Sequence, residues 1–297
     1  MSTGRRLPRV AFQGEAGAFS EEAVLSAFAG AADPVPYRDL RAVGDAVLAG
    51  AVEYGLLPVE NSLAGSVVGA YDLLAATSLS VIGEVIRPIR MCLLGLSGAA
   101  LDSLTEVRSH PIALAQCARF FAEHPALQPV ASYDTAGAAL EVARGLNRRV
   151  GAIAARIAAE RYGLVVLAAD VHDRADNQTR FFVVAPRGTA RPSEPAAARP
   201  KSVLVAETEN RPGALHGLLE VFAVRGINLT KLESRPGPEP WTYRFFIELE
   251  GSADRGAAAL AVEEAMDRTR SLRVIGTYAA ADPPSSAEPP GAPSGFA

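Results

Sequence analysis

The sequence predicts an α/β protein of two domains: a larger body built on largely parallel sheet, then a smaller βαββαβ plait. Three observations predict it. The first is length, since 297 residues exceed what a single hydrophobic core usually organises. The second is punctuation. "PRGTARPSEPAAARP" (186–200) holds four prolines and little apolar content, and "DPPSSAEPPGAPSGFA" (282–297) holds five. Such stretches resist compact structure. They leave 7–185 and 201–280 as folded blocks, 186–200 as a linker and 281–297 as a disordered tail. The third is alternation of short apolar runs with helical stripes.

In the large block, "RVAFQG" reads as a strand. Ala23, Val24, Ala27 and Phe28 then share a helical face, with Ser20 as the expected N-cap. "EYGLLPVE" is a second strand, ending near Pro58. "LTEVRS" is a third, followed by a helix that starts near Pro111, a favoured first helical position. Ala113, Cys117, Phe120 and Phe121 form its apolar stripe. "RVGAIA" and "LVVLAA" are strands flanking a helix through Tyr162. The five apolar residues Phe181 to Ala185 predict a strand buried on both faces. Its mouth is polar: Asp176, Asn177, Gln178 and Thr179, with Arg180 at the edge. A loop explains Asp and Asn, but a hydroxyl and a cation beside a core need partners.

In the small block "SVLVAE" is a strand, and Leu215, Leu218, Leu219 and Phe222 make a helical stripe. "INLTKLES" and "YRFFIELEG" are strands joined through "RPGPEP". A second helix uses Ala259, Val262 and Met266, and "RVIGTYA" closes the block. The order βαββαβ is that of the ferredoxin-like plait.

Composition narrows the function classes. Hydrophobic content of 49 % and charged content of 21 % suit a folded, soluble chain. Net charge is −4, so no basic field awaits nucleic acid or an anionic membrane. Cys92 and Cys117 lack metal-type spacing and suit a reducing compartment. No apolar h-region opens the chain, which points to the cytoplasm. His110 invites a general-base reading, and His172 between Asp170 and Asp173 a metal reading, but neither sits in a recognisable ligand set.

Ligands of open α/β sheets bind outside the carboxyl ends of strands. There the sequence places "QGEAGAFSEE", a glycine turn into a helix start whose N–H groups can receive an anion. It places Glu60, Asn61 and Ser62 after the second strand. It places Ser109, His110 and Pro111 after the third, with Gln116 two helical turns on. Asp134 and Thr135 open a small-residue helix. Ser109 and Asp134 each also read as ordinary helix caps. These patterns describe a ligand-binding body tethered to a plait and name no reaction.

Taken together, "LPVENSLAGSV" (57–67), "SHPIALAQC" (109–117), "DTAGAA" (134–139) and "NQTRFFVVA" (177–185) resemble the signature segments of prephenate dehydratases. "RPGAL" (211–215) and "GINLTKLESRP" (226–236) resemble the ACT regulatory domain that follows in that family. The likeness spans about residues 7 to 280 in order. With no helical chorismate mutase module ahead of it in this sequence, the chain resembles the monofunctional form.

The resemblance implies a two-lobed catalytic domain similar to type II periplasmic binding proteins, with its site in the cleft. It implies loss of CO2 and water from prephenate to give phenylpyruvate, without a cofactor or a metal. It makes Thr179 the expected catalytic hydroxyl, with Glu60 and Asp134 as acidic partners. Asn61, Ser62, Ser109 and Gln116 are expected substrate contacts. Arg180 either pairs with a substrate carboxylate or forms a structural salt bridge. Gly213, Ala214, Leu215, Glu233, Ser234, Arg235 and Pro236 match a phenylalanine effector site, which implies a homodimer or homotetramer. "FQGEAGAFS" and "YDLL" resemble the plant arogenate dehydratase branch, and Ile112 stands where the family usually carries Gln. Arogenate, with an amino group where prephenate has a keto group, is therefore the alternative substrate. A non-catalytic amino-acid sensor is the alternative of another class.

Overall fold

The computed structural model describes residues 6–189 and 199–282, which form two compact units. One holds the chain up to Val67 together with Val85–Phe181, and the other holds Val68–Glu84 together with Phe182–Asp282. Residues 190–198 of the expected linker and 283–297 of the expected tail lie outside the described residues.

The chain opens with β1 (Arg9–Gln13), α1 (Phe19–Ala27), β2 (Asp33–Tyr37), α2 (Leu40–Leu48) and β3 (Tyr54–Asn61). β1 pairs in parallel with both β2 and β3. The stripe expected on α1 is buried, from Ala23 to Phe28. Ser20 does not cap it. The N-cap is Ala18, and the Gly17 N–H is met by Glu21 Oε2 at 2.5 Å. The turn ahead of α1 needs its glycines. Gly14 and Gly17 have φ of 114° and 86°, a region that a Cβ disfavours. A Cβ at Gly17 would also lie 2.9 Å from Ala158 Cα. β3 runs through Pro58 to Asn61 rather than ending near the proline. β2, with Pro34 and Pro36, escapes a sequence reading because proline argues against a strand; it sits at a sheet edge, where a missing donor is tolerated.

After the short β4 (Gly65–Ser66), α3 (Val68–Ala76) and β5 (Leu79–Pro88), the chain builds a second sheet. Its strands are β6 (Cys92–Gly95), β7 (Glu106–Ser109), β8 (Gln128–Ala131), β9 (Val150–Ala154) and β10 (Val165–Ala168), in the order β10-β6-β9-β7-β8. The helices between them are α4 (Pro111–Ala115), α5 (Ala118–Glu123), α6 (Thr135–Gly145) and α7 (Arg156–Tyr162). One face packs Leu93, Val107 and Ile153 against Cys117 and Phe120. The other packs Leu94, Ala152 and Ala154 against Ala138, Val142 and Ala158. The sheet is mixed: β7 is parallel to β8 and β9, whereas β6 is antiparallel to β9 and to β10. Apolar runs do not encode strand direction, so the expectation of largely parallel sheet holds only in part. The helix expected from Pro111 is broken into α4 and α5 at Gln116–Cys117.

β11 (Gln178–Pro186) carries the fully apolar run, with Phe181 to Ala185 at most 2 % exposed. The plait follows as β12 (Pro200–Glu207), α8 (Ala214–Ala223), β13 (Leu229–Pro236), β14 (Tyr243–Glu250), α9 (Gly256–Asp267) and β15 (Ser271–Ala279). Its antiparallel sheet has the order β13-β14-β12-β15. Leu204, Ala206, Ile247 and Leu249 pack on Leu218 and Phe222 of α8 and on Ala258, Ala261, Val262 and Ala265 of α9. The expected stripe on α9 is shifted, since Met266 is 50 % exposed. The opposite sheet face receives Tyr71 of α3, whose ring lies 5.1 Å from that of Phe246. β5 joins this unit by parallel pairing to β15 at Gly276 and Val81. Segments α2, α3, β5 and β6 are absent from the sequence reading. α3, "VGAYDLLAA", is apolar nearly all round and shows no period.

Candidate functional site

A pocket of about 390 Å³ opens in the first unit. Its wall takes Gln13 from the end of β1, Ser20 from the start of α1, and Pro58 and Asn61 from β3. From the second sheet's side come His110, Ile112, Ala113 and Gln116 along α4, and Tyr133, Asp134 and Thr135 at the start of α6. Thr179 and Phe181 of β11 complete it. Gln13 and Asn61 stand at the carboxyl ends of β1 and β3, and Ser20, His110 and Asp134 at the beginnings of helices, where free backbone donors concentrate, whereas Thr179 and Phe181 stand near the amino end of β11.

Asn61 organises the polar wall. Its Oδ1 accepts from the N–H of Leu63 at 3.0 Å and of Ala64 at 2.9 Å. Those two backbone donors fix the amide's orientation, because only its oxygen can accept. Its Nδ2 then donates to Asn177 Oδ1 at 2.8 Å, Gln178 O at 3.1 Å and Thr179 Oγ1 at 2.9 Å. Asn177 in turn donates from Nδ2 to Gln116 Oε1 at 3.1 Å. Thr179, 9 % exposed, thus receives a hydrogen bond on its oxygen, which leaves its O–H to donate elsewhere. This accounts for the polar mouth of a buried strand: Asn177 and Thr179 are built into one network with Asn61 and Gln116.

The remaining predicted residues are placed differently. Asp134 lines the pocket, and its Oδ1 caps α6 by accepting from Ala136 N at 2.7 Å and Gly137 N at 3.3 Å. Glu60 and Arg180 are not part of the lining; the Arg180 guanidinium donates to Glu60 Oε2 at 2.8 Å. That pairing fits the salt-bridge alternative for Arg180. Ser62 Oγ donates to Asp176 O and accepts from Gln178 N, both at 3.0 Å, clipping the end of β3 to the start of β11. Ser109 is fully buried, and its hydroxyl donates to Ile153 O at 2.6 Å. It neither lines the pocket nor caps α4, because His110 Nδ1 accepts from Ile112 N at 3.3 Å. His110 does line the pocket.

His172 Nδ1 accepts from Met91 N, and Asp173 accepts from Ala118 N and Arg119 N at the start of α5. These are backbone-bracing roles. Among the described residues no group of three or more His, Cys, Asp or Glu is placed to hold a metal ion. Burial, with Asp173 nearby, pushes the Cys117 thiol up to about 12, so it stays protonated and inert. Burial, with Glu15 and Asp134 nearby, likewise pushes the Tyr162 phenol up to about 12; it donates to Ala16 O in the loop ahead of α1.

The effector residues predicted from sequence lie in the second unit. Gly213, at φ 81°, is the N-cap of α8; Ala214 is buried and Leu215 partly so. Glu233, Ser234, Arg235 and Pro236 lie on β13, at the edge of the sheet. Arg235 is held by Asp72 of α3 through two bonds of 3.2 and 3.0 Å, and Lys231 approaches Glu233 at 3.4 Å.

The family model for prephenate dehydratase matches residues 10–189, and that for the ACT domain matches 202–265. Arogenate dehydratase 2 of Petunia hybrida is 38 % identical over 291 residues, covering 93 % of this chain and 72 % of its own. The prephenate dehydratase of Arthrobacter aurescens, solved in complex with L-Phe, superposes with a TM-score of 0.84 at 32 % identity, over 93 % of this chain and 92 % of that one. A structure described as a novel type of quorum quenching acylase, GqqA, superposes with a TM-score of 0.85 at 32 % identity, over 92 % and 98 %. Those likenesses carry the two-lobed catalytic fold with a C-terminal ACT domain. No helix among the described residues is long and apolar enough to cross a membrane.

Proposed function

The chain belongs to the prephenate dehydratase family, a family of hydro-lyases, and from that premise we propose that the Asn61–Thr179 pocket carries out the decarboxylating dehydration of prephenate to phenylpyruvate. One observation supports this above others: Asn61 Nδ2 donates to Thr179 Oγ1 at 2.9 Å. The ring hydroxyl of prephenate is a poor leaving group. As the bond from the ring to its carboxylate breaks, CO2 leaves and the electron pair enters the ring. The carbon–oxygen bond breaks on the far side, and the departing hydroxide takes up a proton drawn from solvent to leave as water. A donor aimed at that oxygen lowers the barrier. Thr179, with its oxygen engaged by Asn61, presents its O–H for that purpose. It acts by hydrogen bonding rather than as a free acid, because an alcohol is far too weakly acidic. Gln116 and Asn61 hold substrate beside it, and the backbone donors opening α1 suit one of its carboxylates.

In this reading the catalytic domain spans 7–185, the linker 186–200 and the ACT domain 201–280. Phenylalanine binds the ACT domain at a subunit interface of a homodimer or homotetramer in the cytoplasm, with no cofactor in the reaction. Phenylalanine inhibits by preferring a conformation of low activity. Arogenate is the second reading, since Asp134 supplies the pocket with a carboxylate for its ammonium. An acylase reading finds less support: Thr179 Oγ1 faces an amide donor, not a base able to activate it. The test is to incubate the full chain with prephenate and follow phenylpyruvate absorbance, then to compare kcat/KM with arogenate. Turnover of prephenate that falls on addition of phenylalanine is the expected result; turnover of neither substrate would remove the catalytic reading.

A further inference from the structure

We propose that Asn177 is a positioning residue, whose two-sided amide braces Asn61 beside Thr179 and sets which way Gln116 points its donor. The proposal rests on the catalytic reading above. Asn177 is 1 % exposed and stands behind the pocket lining rather than in it. Its backbone is anchored, with the carbonyl accepting from Ile89 N at 2.8 Å. Its side chain stands between two residues that do line the pocket, accepting from Asn61 Nδ2 at 2.8 Å and donating to Gln116 Oε1 at 3.1 Å.

Polarity propagates along this chain in one direction. The N–H groups of Leu63 and Ala64 claim the Asn61 oxygen, so Asn61 turns its nitrogen to Asn177 and Thr179. The Asn177 oxygen is thereby claimed, so its nitrogen faces Gln116. The Gln116 oxygen is then claimed, which leaves its Nε2 as a donor. Two donors result, the Thr179 hydroxyl and the Gln116 amide, in a pocket meant for a dianion. A carboxamide at position 177 transmits this order; a side chain that only accepts does not. An amide turned the other way would show the anion an acceptor, and buried polar mismatches of that kind are costly.

The experiment separates the two arms. Asn177→Leu fills the space and removes both bonds; kcat/KM for prephenate is expected to fall about 10²-fold. Asn177→Asp keeps the acceptor for Asn61 but offers Gln116 no donor, so Gln116 reverses its amide. KM is expected to rise about tenfold while kcat stays within about threefold. Adding Gln116→Met to Asn177→Asp is expected to cost little more, because that arm is already lost. Thermal melts and near-ultraviolet circular dichroism report folding. If Asn177→Leu does not fold, the Asp variant decides alone, since it is nearly isosteric. Kinetic constants within twofold of wild type in a folded variant would overturn the proposal. So would equal losses of kcat in both variants, or a lowered Tm with catalysis unchanged, which is what a merely structural role gives. A wild-type chain that turns over neither prephenate nor arogenate would overturn the catalytic reading itself, and this proposal with it.

Discussion

Beside its pocket the first unit pairs neutral amides and a hydroxyl, whereas behind its sheet the second unit buries a cluster of ions. Around the pocket, Asn61, Asn177, Gln116 and Thr179 satisfy one another through carboxamides and a hydroxyl. In the second unit, Lys201 Nζ lies 3.0 Å from Glu84 Oε2 and 3.3 Å from Glu248 Oε2, with both carboxylates at most 2 % exposed. Tyr71 donates to Glu248 and Ala281 N donates to Glu84. An amide has a donor end and an acceptor end, so a network of amides carries direction. An ion acts through charge, which is nearly indifferent to orientation, so a cluster of ions carries balance. A site that must present chosen donors to a ligand uses the first; a sheet face that must hold helix and strand together uses the second.

The strongest way to break this comparison is Thr179→Ala. It removes the donor and leaves the amides paired, so turnover should fall about 10⁴-fold with the fold and KM little changed. A steady-state assay beside a melting curve checks both. Lys201→Met tests the other side. It removes the cation between two buried carboxylates and should cost about 4 kcal/mol of stability by chemical denaturation. Arg180→Met probes an ion pair next to the pocket. The Arg180 side chain is 12 % exposed and its partner Glu60 38 %. If the pair is structural, stability should fall by about 1–2 kcal/mol while KM moves less than threefold; a large rise in KM would return Arg180 to the substrate. The smallest effect concerns Glu22 on α1, whose carboxyl is raised above its usual range, first by burial. A raised acid binds its proton more tightly folded than unfolded. Stability from this group is therefore present at low pH and declines as pH rises above about 4.5. Glu22→Gln should flatten that decline and stabilise the chain slightly at neutral pH, as melts across a pH series would show.

Legibility in the sequence followed the same physics. The plait was readable because each of its helices and strands buries one face, leaving a clean period at Leu218 and Phe222. The long apolar run of β11 was readable because nothing polar fits a strand covered on both sides. α3 was not, since it shows apolar residues in every direction. Nor was β2, whose prolines only an edge position permits. Within the site, Asn61, Gln116, Asp134 and Thr179 were found from strand ends and motif resemblance, and the pocket gathers all four. Ser109 shares the same motif yet turns inward to Ile153. Asn177 stood in view in the polar quartet, but nothing along the chain revealed that it faces two partners 116 and 61 positions away.

By itself, then, the sequence determined the element types of β11 and the plait, because side-chain period is a local property of the backbone, although α2 and β6, buried on one face and on both, escaped it. It also determined the family, because several spaced motifs together are specific. Tertiary structure alone decided which polar groups pair and in what polarity. A hydrogen bond needs atoms within about 3 Å and in the right orientation, and for Asn61, Asn177 and Gln116 that proximity exists only after segments far apart in the chain have packed.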